Sequence, residues 1–191
     1  MFLGAQLLSG FLLACGYLPD PAFAFDSVQA LVRTVPGMWL LRFLHVNGAT
    51  TAFVLMSCHW AKAFAVHSYA YPREHVWWTG CAIVALLMLA AFTGYVLVWG
   101  QISYWALTVI TNLATAIPLV GSDLLTALWG GEVLNAHSLG RFYCVHLLVP
   151  LALCGLAGVH LLVLHQMHGK LSAELMSAGG KDQLPFGPCS A

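Results

Sequence analysis

Residues 44–60, LHVNGATTAFVLMSCHW, and 145–161, VHLLVPLALCGLAGVHL, constrain this chain more tightly than any other part of it. Both stretches are apolar, and each carries a histidine near either end: His45 and His59 in the first, His146 and His160 in the second. Both pairs are fourteen residues apart. Fourteen residues of α-helix rise about 21 Å and fall about 40° short of four full turns, so the two histidines of a pair share one helix face at two heights. Two such helices side by side give two levels, each with one imidazole from each helix. Chance alone would supply about 0.4 pairs at this spacing, and the chain has two.

Composition says what surrounds those helices. Of 191 residues, 60% are hydrophobic and 7% charged, where a soluble domain carries roughly 25% charged residues. With a mean hydropathy of +0.83, the chain is expected to be an integral membrane protein. Its net charge of zero offers nothing to nucleic acid. Nine histidines exceed the seven Lys plus Arg. Cys15, Cys58, Cys81, Cys144, Cys154 and Cys189 form no CxxC pair, so neither a disulfide framework nor a zinc site is expected. Five of them lie in apolar sequence and read as small hydrophobes.

Hydrophobic runs predict four spans. Residues 1–18 form the first, slightly short of the 20 or so that a spanning helix needs. It has neither the basic leader nor the cleavage site of a signal peptide. Pro19-Asp20-Pro21 stops it. Residues 22–36 read as a polar-sprinkled connector. Residues 37–66 form the second span, 67–78 a loop whose Trp77 and Trp78 mark a membrane interface, and 80–98 the third. Residues 101–131, broken by Pro118, Gly121 and Gly130-Gly131, predict two short helices lying at the interface. Residues 138–165 form the fourth span and 166–191 a polar tail. The organisation expected is therefore an all-α integral membrane four-helix bundle, 1–165, followed by the tail. Spans two and four run in the same direction, which sets His45 level with His146 and His59 level with His160. Lys62, Arg73, Lys170 and Lys181 fall on one side, favouring it as the matrix or cytoplasmic face.

An ionisable residue inside a membrane is by default a functional one. Zinc would need four ligands close together, but these are split between two levels. Two imidazoles per level fit the axial positions of a six-coordinate haem iron, which then cycles one electron and has no open position for a ligand. A flat macrocycle needs small side chains where it touches backbone, and Gly10, Gly48, Gly80 and Gly94 offer them. Arg42 and Arg141, close to His45 and His146, could pair with the haem propionates.

These residues carry a resemblance. LLRFLHVNGAT around His45, GYVLVWGQISYW at 94–105, TVITNLATAIPLVGSDLLTALWGG at 108–131 and LGRFYCVHLLVP around His146 resemble the N-terminal half of cytochrome b, the dihaem core of ubiquinol–cytochrome c reductase. The similarity runs from Gln6 to His165, and the tail motif KDQLPFGP resembles the segment before that family's fifth helix. The resemblance implies two haem b groups: a low-potential one between His45 and His146, and a high-potential one between His59 and His160. It implies a quinol oxidation pocket near the first, with Phe92, Tyr95, Trp105, Ala106, Val109 and Ile110 at matching positions. A quinone reduction pocket is implied near the second, where His165 matches a family histidine. Lys62 stands for a usual Arg near the haems. Val98 replaces a usual Pro, and Ala106 replaces a Gly common in the quinol pocket.

The family mechanism implied is bifurcated oxidation of ubiquinol, with one electron passing to a Rieske iron–sulfur protein and the other crossing the two haems to ubiquinone, contributing to proton translocation. A c-type cytochrome and a homodimeric complex are the other implied partners. The start of the first helix, one packing glycine and all later helices of the family are not in this sequence, so a separate chain carrying the C-terminal half is expected, as in the split photosynthetic version. That version spaces its second histidine pair by fifteen; fourteen here favours the respiratory type. The membrane expected is the mitochondrial inner membrane, with the bacterial plasma membrane as the alternative. The rival function is a b-type haem anchor subunit of a dehydrogenase or hydrogenase.

Overall fold

In hydrocarbon, every backbone N–H and C=O must be satisfied within the protein, which leaves an apolar run little choice but to be helical. The computed structural model of the protein describes residues 2–177, with side chains described through Met167. Among the described residues it is all-α, with no strand. Helix α1 is Phe2–Ala14, α2 Ala24–Thr34, α3 Met38–Ala65, α4 Glu74–Val96 and α5 Gln101–Asn112. A short 3-10 turn, Leu113–Ala116, leads to α6, Gly121–Trp129, and then α7, Ala136–Ser177.

Two of these helices, α4 and the Ala136–Met167 part of α7, are long and apolar enough to cross a membrane. Only 11% of each apolar window is buried, whereas the core helix of a soluble protein is mostly buried. Their outward side chains, such as Met88, Leu148, Leu151 and Leu162, are what lipid would solvate. Helix α3 has the length, at 28 residues, but its apolar run is diluted by Arg42, the two histidines, Asn47 and Lys62. Helix α1 is apolar and 13 residues long.

Three boundaries differ from those read in the sequence. The connector 22–36 holds a helix, α2. Its polar residues are one face of an amphipathic helix, while Ala24, fully buried, Val28 and Leu31 form the other. Asp26 in its first turn and Arg33 in its last complement the helix dipole. Leu31 lies against Gly16. Helix α4 starts at Glu74, earlier than 80, again with an acidic residue in its first turn. Helix α7 runs on to Ser177, past the expected end at 165. The tail motif KDQLPFGP and Cys189 lie outside the described residues. Between α4 and α7, α5 and α6 are the two short helices expected.

The helices pack as two pairs, α4 along α7 and α1 along α3, with α2 against α3 and with α5 and α6 gathered at one end. Helix α3 does not pack closely on α7, which leaves a slot between the pairs. The small core sits at the α5–α6 end: Val96, Leu107 and Phe142, with Phe92, Leu97, Trp99 and Leu134 around them. Polar contacts pin this end. Trp129 Nε1 donates to Thr111 Oγ1 at 2.9 Å, Ser138 Oγ donates to the Trp129 carbonyl, and Tyr17 on the α1 side donates to the Leu97 carbonyl at 2.7 Å. Gly130 ends α6 with φ +75°, a left-handed conformation that glycine adopts without a Cβ penalty. Leu107 is fully buried, and truncating such a side chain costs about 2–5 kcal/mol. Leu107→Ala is therefore expected to lower the thermal midpoint of the assembled protein, followed by loss of helical circular dichroism, while truncation of the exposed Leu148 leaves it in place.

Candidate functional site

The slot between the helix pairs is where the four histidines meet. His45 and His146 face each other with ring centroids 6.4 Å apart, and His59 faces His160 at 6.5 Å. Helices α3 and α7 therefore run in the same direction, and each level takes one imidazole from each. An imidazole nitrogen binds a first-row metal at about 2.1 Å with its ring centre about 1.1 Å behind, so two imidazoles trans across one metal have centres about 6.4 Å apart. Both levels match that separation. Among the described residues no group of three or more His, Cys, Asp or Glu gathers at a possible metal site, so neither level resembles a four-ligand zinc site.

The ring nitrogens are sorted between two tasks. His146 Nδ1 lies 3.0 Å from the Ala90 carbonyl, which can only accept, so Nδ1 carries the proton. Thr93 Oγ1 lies 3.2 Å from the same nitrogen and spends its own proton on the carbonyls of Leu89 and Ala90. His45 Nδ1 is 2.9 Å from Ser9 Oγ, whose proton goes to the Gln6 carbonyl. His160 Nδ1 is 2.7 Å from Thr79 Oγ1, whose proton goes to the carbonyls of His75 and Val76. In all three, Nδ1–H donates and Nε2 is left as the basic nitrogen. A metal-binding histidine is held in this way, its second ring nitrogen donating to an oxygen that fixes tautomer and orientation. The donor set and its spacing fit a bis-imidazole haem.

Three of the four glycines abut these rings. A Cβ on Gly10 would come within 2.9 Å of the His45 ring. One on Gly94 would lie 2.5–3.1 Å from three atoms of the His146 ring, and one on Gly80 would lie 3.5 Å from that of His160. Gly48 faces a different neighbour, Gln6, whose side chain occupies the space a Cβ would need. Gln6 Nε2 also donates to the His45 carbonyl at 2.9 Å, so α1 holds both the backbone and the ring of His45. On α7, Pro150 brings no N–H to the carbonyl four residues back, that of His146.

The remaining candidates lie away from the rings or at the surface. Arg141 donates to the Ala127 carbonyl, at the C-terminal end of α6, where its charge suits the helix dipole. Arg42 is half-buried and Lys62 exposed. Phe92 meets Phe142 edge-on at 6.1 Å, and Ala106 is half-buried. Tyr95, Trp105, Val109 and Ile110 are open to the surface at 44%, 59%, 64% and 46% exposure, so these residues do not close a pocket by themselves. His165 is exposed on α7.

Comparison with known proteins decides the family. The model for cytochrome b/b6/petB matches residues 1–168. The chain belongs to the cytochrome b family. It is 46% identical to cytochrome b of Marchantia polymorpha over 161 residues, covering 84% of this chain and 40% of that protein. It is 41% identical to cytochrome b of Rhodospirillum rubrum over 183 residues, 96% of this chain and 45% of the other. A chain of a hyperthermophilic respiratory complex III superposes with a TM-score of 0.79 at 33% identity, over 85% of this chain and 44% of that one. The chain thus spans less than half the length of the cytochrome b proteins it matches.

Set in this cytochrome b chain, the residues that sequence reasoning passed over are Gln6, Ser9, Thr79 and Thr93. A signal for three of them was present. Each hydroxyl residue immediately precedes a glycine already singled out: Ser9-Gly10, Thr79-Gly80 and Thr93-Gly94.

Proposed function

We propose that the chain is the first half of the cytochrome b subunit of a quinol–cytochrome c oxidoreductase, crossing its membrane four times and holding two haem b groups. His45 with His146 and His59 with His160 would be the axial ligands. The observation that carries this reading is the pair of facing imidazoles at both levels, at a separation suited to one metal each, in a member of this family. When bound there, each haem would supply one-electron transfer.

The chain's own residues orient and insulate. Ser9, Thr79, Thr93 and the Ala90 carbonyl hold the ring protons. Gly10, Gly80 and Gly94 make room at the rings, and Gly48 makes room for the Gln6 contact. Arg42, Lys62 and Arg141 supply the positive charge that anionic propionates require. Phe92, Tyr95, Trp105, Ala106, Val109 and Ile110 form one wall of a quinol oxidation pocket, and His165 belongs to the quinone reduction site on the opposite side. Ubiquinol oxidised at the first site releases its two protons on that face, and ubiquinone reduced at the second takes protons up from the other. The exposed face of α4 and α5 is to be closed by the complementary half of the subunit. The Rieske iron–sulfur protein, a c-type cytochrome and a second copy of the whole assembly complete the complex. Both a mitochondrial inner membrane and a bacterial plasma membrane supply these partners.

Purification of the chain from its native membrane under mild detergent tests this. The expected result is co-purification with an iron–sulfur protein and a c-type cytochrome, and quinol-dependent reduction of cytochrome c that quinol-pocket inhibitors block. Co-purification with a dehydrogenase or hydrogenase alone, without inhibitor-sensitive cytochrome c reduction, would establish the anchor-subunit reading in its place.

A further inference from the structure

Ser9, Thr79 and Thr93 are the same device used three times. Each is a hydroxyl residue followed by glycine, on a helix that lies beside a histidine-bearing one. In each case the hydroxyl gives its own hydrogen to a carbonyl of its own helix and so presents only lone pairs to a histidine Nδ1–H. The adjoining glycine leaves the ring room to come that close: the Cβ it lacks would fall 2.5–3.5 Å from ring carbon Cε1 at Gly10, Gly80 and Gly94. Thr79-Gly80 and Thr93-Gly94 stand fourteen residues apart on α4, the same interval as the histidines they serve on α7. One helix face thus carries two acceptors in register with two rings.

We infer that these three hydroxyls are positioning residues that fix the orientation of His45, His160 and His146 and set the reduction potential at each level separately. The inference rests on the two-haem reading above. An imidazole whose Nδ1–H donates to an oxygen is a more basic ligand through Nε2, and a more basic axial ligand favours the oxidised, more positive iron. Removing the acceptor should therefore raise the potential of that level alone. The levels are unequal in this respect. Both rings of the first donate, His45 to Ser9 and His146 to Thr93 and Ala90. At the second, His160 donates to Thr79, and the His59 ring has no hydrogen-bond partner among the described residues. That inequality by itself favours oxidised iron at the His45–His146 level.

The test is a potentiometric titration of the two b haems in the purified complex, followed by difference absorbance, for the parent and for T93V, T93S, T79V and T79S. Valine keeps the shape of threonine and removes the acceptor; serine restores it. Outer partners of metal-bound histidines are worth about 10–100-fold. A tenfold effect on the one-electron equilibrium corresponds to 59 mV. T79V is expected to raise the midpoint of the His59–His160 haem by about that amount and leave the other unchanged, T93V to raise the His45–His146 haem by less, because the Ala90 carbonyl still accepts from His146 Nδ1, and both serine variants to titrate like the parent. Should T93V lose its haem, S9A reads the same level through His45. Unmoved potentials in all three hydroxyl-deleting variants, equal shifts of both haems, or serine variants that behave like valine would overturn the inference while leaving the two-haem reading intact. A parent complex with no b haem would overturn both.

Discussion

Replacing His160 with alanine is expected to remove one of the two b haems and leave the other. His59, its partner 6.5 Å away, is exposed, and among the described residues no hydrogen bond holds its ring at the ligand position. A single imidazole there cannot fill both axial sites. The level about 21 Å away keeps both of its rings, each tied by Nδ1. The reduced-minus-oxidised spectrum of the variant complex should retain about half the b-type absorbance per chain. Steady-state quinol oxidation should fall by roughly a hundredfold or more, since even outer partners of a metal-bound histidine are worth about 10–100-fold. An unchanged two-haem spectrum in H160A would refute the ligand assignment.

The second large effect comes from a single methyl group. In Gly94→Ala the new Cβ would fall 2.5–3.1 Å from three atoms of the His146 ring, inside van der Waals contact. The ring cannot yield freely, because its Nδ1 is held by Ala90 and Thr93 and its position sets the spacing to His45. The expected outcome is loss of the haem at the His45–His146 level, seen as the low-potential component missing from a redox titration. Gly158→Ala, at an exposed position of α7, is the control. Nothing lies within 4 Å of its Cβ position, and alanine is the better helix former by about 1 kcal/mol, so this variant should keep both haems. Equal behaviour of the two variants would show that glycine at 94 matters only through helix propensity.

The parts of this architecture that were legible in the sequence are those governed by helical periodicity. Fourteen is close to a whole number of turns, so spacing and topology alone brought His45 to His146 and His59 to His160. Pro118, Gly121 and Gly130 marked breaks: α5 ends before the first, and α6 runs from Gly121 to the residue before Gly130. Helix α2 was missed because Asp26 and Arg33 were weighed as part of a polar connector. Read at helical spacing, Ala24, Val28 and Leu31 make an apolar face, which needed α3 and Gly16 as its partners to be recognised. The hydroxyls were missed for a different reason. Serine and threonine in apolar helices commonly bond back to their own backbone, and Ser9, Thr79 and Thr93 do so. Only the three-dimensional placement of a ring beside the remaining lone pairs distinguishes them from Thr51, which bonds back to Asn47. The role foreseen for Gly48 also depended on a neighbour that spacing could not supply, since Gln6 fills the space beside it. The quinone-site residues were assigned by resemblance alone; Tyr95, Trp105, Val109, Ile110 and His165 stand exposed, while Phe92 and Ala106 are half-buried.

The most direct measurement of the central claim is the haem content and spin state of the chain in its purified complex. A pyridine haemochrome assay, paired with low-temperature electron paramagnetic resonance, reads both on one sample. Two haem b per copy of this chain, both low-spin with two imidazole ligands, is the predicted result. A high-spin iron with an open position, one haem per chain, or none would contradict it.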